Sequence, residues 1–211
     1  MLQIDRATQF RMIPGHDWLG GEPVVGQNRL MVPMLLAIGS SSPCSGVRVL
    51  DQYILTVSTA HCPDMSGGQA WTSPRELDFN AAAGLDLIAS NAGFDLSLYR
   101  TQLSLPGRKI AALFPDELRL FGWGSGHALE YARFRALPDC GRAGLRRVER
   151  ASSYTYTEDG DSGGPAIDAE GRICGLILGS KKGVVDLVDL THPEVRDWLI
   201  SCGMPTEAFT I

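Results

Sequence analysis

Gly160-Asp161-Ser162-Gly163-Gly164-Pro165 packs three glycines around a single serine. That composition suits a place where the backbone turns sharply and leaves one hydroxyl and two amides directed at a ligand, which makes Ser162 a candidate nucleophile. It is equally good hairpin-turn composition, and on this segment alone turn and nucleophile stand about even. The surrounding chain has to decide between them.

Short β-type segments run to either side, at residues 34–38, 47–50, 53–57, 85–89, 96–99, 110–114, 172–178 and 184–190. Gly, Pro, Ser and Asp punctuate them, as short strands at regular spacing require. Glycine supplies 24 of the 211 residues; this is about 11% against an average of about 7%, and many tight turns are the simplest use for it. One helix is marked near the C-terminus. Thr191 is placed to cap it, Glu194 completes a capping box, and Val195, Trp198, Leu199 and Cys202 follow at helical spacing. Pro106 and Gly107 mark a linker over residues 105–109 that divides the chain into two β lobes. The pattern predicts an all-β sandwich or barrel.

Residues 53–62, Tyr-Ile-Leu-Thr-Val-Ser-Thr-Ala-His-Cys, read as an apolar strand ending in small residues and then His61. Such a segment delivers an imidazole from a rigid element to the edge of a lobe, as a general base needs. A lone histidine at a strand end is otherwise more often a surface or core residue. Asp95 lies in Phe94-Asp95-Leu96-Ser97-Leu98-Tyr99, where an acid among apolar positions is costly unless hydrogen-bonded. The bland alternative is a turn or strand-edge aspartate.

Together these segments resemble the chymotrypsin-like (trypsin family) serine proteases, from about Trp18 to the end of the chain. STAHC, ending at His61-Cys62, looks like the family's histidine motif, FDLSL around Asp95 its aspartate motif, GWGSG around Trp123 its mid-chain glycine loop, and GDSGGP its serine motif. The closing GVVDLVDLTHPEVRDWL is similar to the family's last strand and C-terminal helix. The resemblance implies an all-β fold of two packed antiparallel six-stranded Greek-key barrels with a short C-terminal helix. Residues 18–211 would form the protease domain, with lobes at about 18–105 and 106–211. It makes His61 the base, Asp95 its orienter and Ser162 the nucleophile, with the amides of Gly160 and Ser162 as oxyanion hole. The implied reaction is acyl transfer: Ser162 attacks a peptide carbonyl while His61 takes its proton, and His61 then protonates the leaving amine. A catalytically silent binding module on the same fold is the competing reading. An intact triad argues against it, since packing alone does not require all three residues.

Gly160, Ser162 and Gly164 also satisfy the G-x-S-x-G elbow of α/β-hydrolases, with Asp186 or Asp189 and His192 following in the right order. That elbow must lead into a helix, whereas Gly163-Gly164-Pro165 is poor helix material and the strands are not interleaved with helices. The family also implies a Cys44–Cys62 disulfide beside the histidine. Cys140, Cys174 and Cys202 default to buried thiols. A zinc site from Cys44, His61 and Cys62 lacks a fourth ligand and conventional spacing, so neither metal nor cofactor is expected. His16, His127 and His192 read as solvent-facing or capping residues, Trp123 as packing, and Arg146, Arg147 and Arg150 as a solvated strand face.

The chain departs from the family where specificity is set. The trypsin-type pocket aspartate, six residues before the serine, is here Tyr156, followed by Thr157. The strand that usually reads Ser-Trp-Gly along the substrate is Leu178-Gly179-Ser180, and the short loop after it holds Lys181 and Lys182. Cleavage after an acidic or uncharged residue, rather than after Lys or Arg, is the expectation. Trp18-Leu19-Gly20-Gly21 resembles the family's mature N-terminus. Residues 1–17 then read as a candidate propeptide cut after Asp17, by an activating protease or by the enzyme itself. The freed ammonium group of Trp18 would pair with Asp161 and set the oxyanion loop. A chain that works uncut is the alternative.

Composition bounds the rest. Hydrophobic residues at 44% and charged ones at 20% exclude a mainly disordered chain. A net charge of −5 argues against a broad footprint for nucleic acid or anionic lipid and favours protein or peptide partners. The longest apolar stretch, residues 30–38, is interrupted by Pro33 and is far below the roughly 18 residues of a membrane-spanning helix. The first fifteen residues lack the apolar run of a secretory signal, and five cysteines is an odd count, so a cytoplasmic location is expected.

Overall fold

The computed structural model describes residues 22–23, 34–38, 43–62, 69–71, 83–102, 107–122, 130–150, 157, 160–181 and 183–210. In chain order their strands are β1 (Glu22–Pro23), β2 (Met34–Ile38), β3 (Pro43–Val49), β4 (Tyr53–Thr56), β5 (Gln69–Trp71), β6 (Ala83–Asn91) and β7 (Leu96–Thr101), then β8 (Glu117–Gly122), β9 (Glu130–Ala136), β10 (Leu145–Glu149), β11 (Pro165–Ile167), β12 (Ile173–Lys181) and β13 (Val184–Asp189). Helix α1 (Pro193–Ser201) and a 3-10 turn (Thr206–Ala208) complete the chain. No helix among these residues is long and apolar enough to cross a membrane.

Strands β2 to β7 close into a six-stranded barrel in the order β2-β3-β4-β7-β6-β5, with β2 pairing β5 to complete the ring. All pairings are antiparallel; Val47 faces Leu55 between β3 and β4, and Leu55 faces Leu98 between β4 and β7. The remaining strands form a seven-stranded sheet, β1-β9-β10-β13-β12-β11-β8, in which β8 also pairs with β9 from Glu117↔Arg135 to Gly122↔Glu130. The expected all-β class and terminal helix are present. Of the expected second six-stranded barrel, β8 to β13 pair in a continuous order, β8-β9-β10-β13-β12-β11 with β11 back on β8, and the two-residue β1 is added to β9 at Glu22↔Tyr131 as a seventh strand.

The main core joins both sheets to the helix. Val47, Val49, Leu55, Leu96 and Leu98 of the barrel pack with Ile173, Leu176 and Val188 of the second sheet and with Val195 and Leu199 of α1. Val195 and Leu199 lie four residues apart, so one helix face is buried on that core. A second cluster, including Leu118, Leu120, Phe134, Val148, Ile177 and Leu187, fills the interior of the second sheet.

Four local expectations need correction. Residues 110–114 form no strand: Ile110 makes isolated bridges to Ile173 and Phe209, with its amide donating to Ala208 O (2.7 Å) and its carbonyl accepting from Thr210 N (2.8 Å). The C-terminal segment thus takes the backbone groups a ladder would need. The cap of α1 is His192, whose Nδ1 accepts from Glu194 N at 3.3 Å. Thr191 instead gives its amide and hydroxyl to Asp189 Oδ1, at 2.9 and 2.6 Å. Arg146 is not simply solvated, since its Nε donates at 2.9 Å to Asp189, whose side chain is buried. Cys174 is buried, but Cys202 is half-buried and Cys140 is exposed, in the turn before β10.

Candidate active site

Asp95 is delivered by the hairpin between β6 and β7. Asn91 ends β6 and its Oδ1 accepts from Gly93 N (2.9 Å) and Phe94 N (3.3 Å), closing an Asx-type turn. Asp95 then takes φ +54° before β7 begins. Aspartate tolerates this left-handed conformation better than most residues, and it turns the carboxylate back across the barrel end. Oδ2 accepts from His61 Nδ1 at 2.7 Å; Oδ1 accepts from both the amide and the hydroxyl of Ser58, at 3.0 and 2.6 Å.

His61 sits in the turn that follows β4. The amides of His61 and Cys62 both donate to Ser58 O, at 3.0 and 2.9 Å, and Cys62 is joined by a disulfide to Cys44 of β3, with a Cα–Cα distance of 6.8 Å. With Nδ1–H given to Asp95, Nε2 is the nitrogen left to take a proton. The hydrogen bond to Asp95 raises the His61 pKa above its ordinary value; burial opposes this and the carboxylate's charge reinforces it. Burial pushes the Asp95 carboxyl up, but the hydrogen bonds from His61 and Ser58 outweigh it and hold it below the usual value.

Ser162 comes from the second sheet, on the turn entering β11. Gly164 N donates to Asp161 O and Gly163 N to Ile177 O, both at 2.8 Å, which curls residues 161–164 against β12. The barrel fixes the other side of this turn: Ser45 of β3 donates its amide to Ser162 O (2.8 Å) and its hydroxyl to Gly160 O (2.6 Å), while Thr56 Oγ1 donates to Ser45 O (2.7 Å). Gly163 has φ +85°, and a Cβ there would collide with the Ser45 carbonyl and the Thr56 hydroxyl, so only glycine lets the two sheets approach this closely. Ser162 Oγ donates to Leu178 O at 3.2 Å and not to His61. A register shift between Ile177 and Gly179 leaves Leu178 unpaired with β13 where its carbonyl meets the serine. Among the described residues the amides of Gly160 and Ser162 have no protein acceptor.

The pocket residues are partly brought together. Thr157 donates its amide (2.8 Å) and its hydroxyl (3.1 Å) to Ser180 Oγ, and Leu178, Gly179 and Ser180 run along β12 beside Ser162. Lys181 ends that strand exposed to solvent. Tyr156, Lys182, Asp17, Trp18 and the mid-chain glycine loop at Trp123 lie outside the described residues. Asp161 is 1% exposed. The hydrolase-elbow alternative fails on position: the serine turn enters strand β11, Asp189 is bound to Arg146 and Thr191, Asp186 to Arg147 (3.0 Å), and His192 caps α1. Ser58 and Ser45 were not legible as site residues, because each hydroxyl acts on a partner distant in sequence. The place of Ser58 at the head of the histidine motif and of Ser45 beside Cys44 was the available signal.

No protein-family model matches the sequence, and no curated protein matches it either. Solved structures do match in shape. A Glu endopeptidase in complex with MPD superposes with a TM-score of 0.68 at 12% identity, over 86% of this chain and 95% of that one. The Rv3671c protease of M. tuberculosis in its active form gives 0.63 at 15% identity, over 88% and 89%. An inactive form of the Rv3671c protease gives 0.62 at 13%, over 84% and 92%. With its closed barrel, its second sheet and its terminal helix, the chain has the fold of the chymotrypsin-like serine proteases.

Proposed function

We propose that this protein is a serine endopeptidase that hydrolyses peptide bonds through an acyl-enzyme. The observation that carries the reading is the His61–Asp95 bond at 2.7 Å, on a carboxylate whose other oxygen is also occupied. A packing role for His61 does not call for so organised a partner. His61 Nε2 takes the proton of Ser162 Oγ as that oxygen adds to the substrate carbonyl, which requires the hydroxyl to leave Leu178 O. Asp95 stays ionised, holds the ring and stabilises the imidazolium. The amides of Gly160 and Ser162, which have no protein acceptor among the described residues, supply donors for the developing oxyanion. His61 then gives its proton to the leaving amine, and water repeats the sequence on the ester to release the acid and restore Ser162.

Specificity and activation follow from the same reading. Without an aspartate at position 156 a substrate Lys or Arg has no evident counterion, while Lys181, Thr157 and Ser180 offer a cation and hydroxyls to an acidic or small polar side chain. One structural neighbour being a Glu endopeptidase is in keeping with that preference. Cleavage after Asp17, by an activating protease or by the enzyme itself, would free the ammonium group of Trp18 for the buried Asp161.

Reaction with a serine-directed phosphonate, read by intact mass and by the N-terminal sequence of the labelled protein, tests the nucleophile, the base and the activation step. Stoichiometric labelling at Ser162, lost in Ser162→Ala and His61→Ala, is expected. A folded protein that neither labels nor hydrolyses any peptide would instead be a binding module on this fold. Full activity from a chain still beginning at Met1 removes the activation step.

A further inference from the structure

The His61–Asp95 pair is open to water on one side and closed on the other. The two side chains are 31% and 29% exposed, whereas Ser58 is 2% exposed. A carboxylate on so short a side chain turns easily about its last torsion unless both oxygens are engaged. Here the Ser58 amide and hydroxyl converge on Oδ1 at 3.0 and 2.6 Å, short bonds to a charged acceptor of the stronger kind. Ser58 is itself fixed. Its carbonyl accepts from the amides of His61 and Cys62. The neighbouring Thr59 contacts Ser90 Oγ through its amide and hydroxyl, each at 3.2 Å, and Ser90 Oγ accepts from Ser97 at 2.9 Å. Ser97 is fully buried on β7, two residues past Asp95. The hydroxyls of Thr59, Ser90 and Ser97 therefore tie the histidine turn to the aspartate hairpin, and Ser58, next to Thr59 in that turn, reaches the carboxylate.

We propose that Ser58 is a positioning residue of this site: its hydroxyl locks the Asp95 carboxylate so that Oδ2 stays on His61 Nδ1 while His61 gains and loses the proton. The proposal rests on the triad reading above and adds to it a residue that touches neither substrate nor the reacting atoms. A merely structural serine accounts for the burial. It does not account for two donors on one carboxylate oxygen, since alanine fills nearly the same space.

The test compares Ser58→Ala, Ser58→Cys and Ser58→Thr in the full chain. Readouts are kcat and KM on a peptide substrate, the pH profile, and the NMR signal of the proton shared by His61 Nδ1 and Asp95. Among the described residues Asp95 and His61 are the charged groups that act on each other, so the acid limb of the profile reports this pair. Ser58→Ala should lower kcat about 10- to 100-fold, the range for a hydrogen bond to a charged group, with KM little changed. Its acid limb should move to lower pH as His61 loses support, and the shared proton should exchange faster with water. Ser58→Cys keeps the volume with a weak donor and should fall with alanine; Ser58→Thr keeps the hydroxyl and should recover most of kcat. Wild-type kcat, pH limb and proton exchange in Ser58→Ala overturn the proposal, as does full activity in Ser58→Cys. Should the alanine variant not fold, the cysteine and threonine pair decides alone. Ser162→Ala separates the two layers: if it stays active the triad reading fails, and if it is dead while Ser58→Ala is normal, only the role of Ser58 fails.

Discussion

Breaking the Cys44–Cys62 bridge should loosen the barrel at the point where His61 is mounted. The cysteines are 18 apart in sequence, and closing a loop of that size removes about 11 cal/mol/K of unfolded-chain entropy, or about 3 kcal/mol at 25 °C. In a chain of 211 residues, 1 kcal/mol moves the melting temperature by about 2–4 °C, so the loss should be about 6–12 °C. Reduction is the cleaner perturbation. It opens the link but leaves both sulfurs in their buried cluster with Ile54, Val57, Leu85 and Tyr99, whereas Cys44→Ala with Cys62→Ala also removes packing. Scanning calorimetry of the oxidised protein, the reduced protein and the double variant should therefore give three descending melting temperatures. Phosphonate labelling should slow in the same order, because Cys62 adjoins His61. A reduced protein that melts within about 2 °C of the oxidised one would refute the loop-closure argument.

Three further outcomes follow. Because the hydrogen bond to Asp95 raises the His61 pKa and the proposed base acts in its neutral form, kcat/KM should rise with pH through a midpoint above the free-histidine value of about 6.5, and Asp95→Asn should bring that midpoint down. A wild-type midpoint at or below that value contradicts the geometry. Gly163→Ala forces a left-handed residue and a collision with Ser45 and Thr56, costing about 1–2 kcal/mol from conformation alone. It should also slow labelling of Ser162 about 100-fold by displacing the turn, so unchanged melting and labelling would show the contact to be soft. Peptide-library profiling should find acidic or small polar residues before the cut, and a strong Arg or Lys preference there would sink the pocket reading.

Strands whose sequences are apolar over most of their length were legible: residues 34–38, 53–57 and 184–190 fall on β2, β4 and β13 to within a residue, and 96–99 falls on β7, which runs two residues further. Shorter or more charged ones were not. β5 and β11 have three residues each, too few for periodicity to register. In β9 buried Ala132 and Phe134 alternate with exposed Arg133 and Arg135, an amphipathic pattern masked by its charge. Residues 110–114 looked like a strand because Ile110, Ala111 and Phe114 are apolar. Burial supplies the apolar requirement there without a ladder, since Ile110 and Ala111 pack in two different clusters. At the site, His61, Asp95 and Ser162 were legible because their neighbours form motifs. Ser58 and Ser45 were not, because what they do depends on a carboxylate 37 residues away and a carbonyl 115 residues away.

Ser45 belongs to the barrel, and the backbone that it grips belongs to the other sheet. The residues proposed as base and nucleophile thus sit on separate sheets that are joined across a seam. A polypeptide severed between β7 and β8 would carry His61 and Asp95 on one piece and Ser162 on the other, each piece inert by itself. Hydrolysis would then count reunited pairs, and fusing the two pieces to proteins that associate would make turnover a readout of that association.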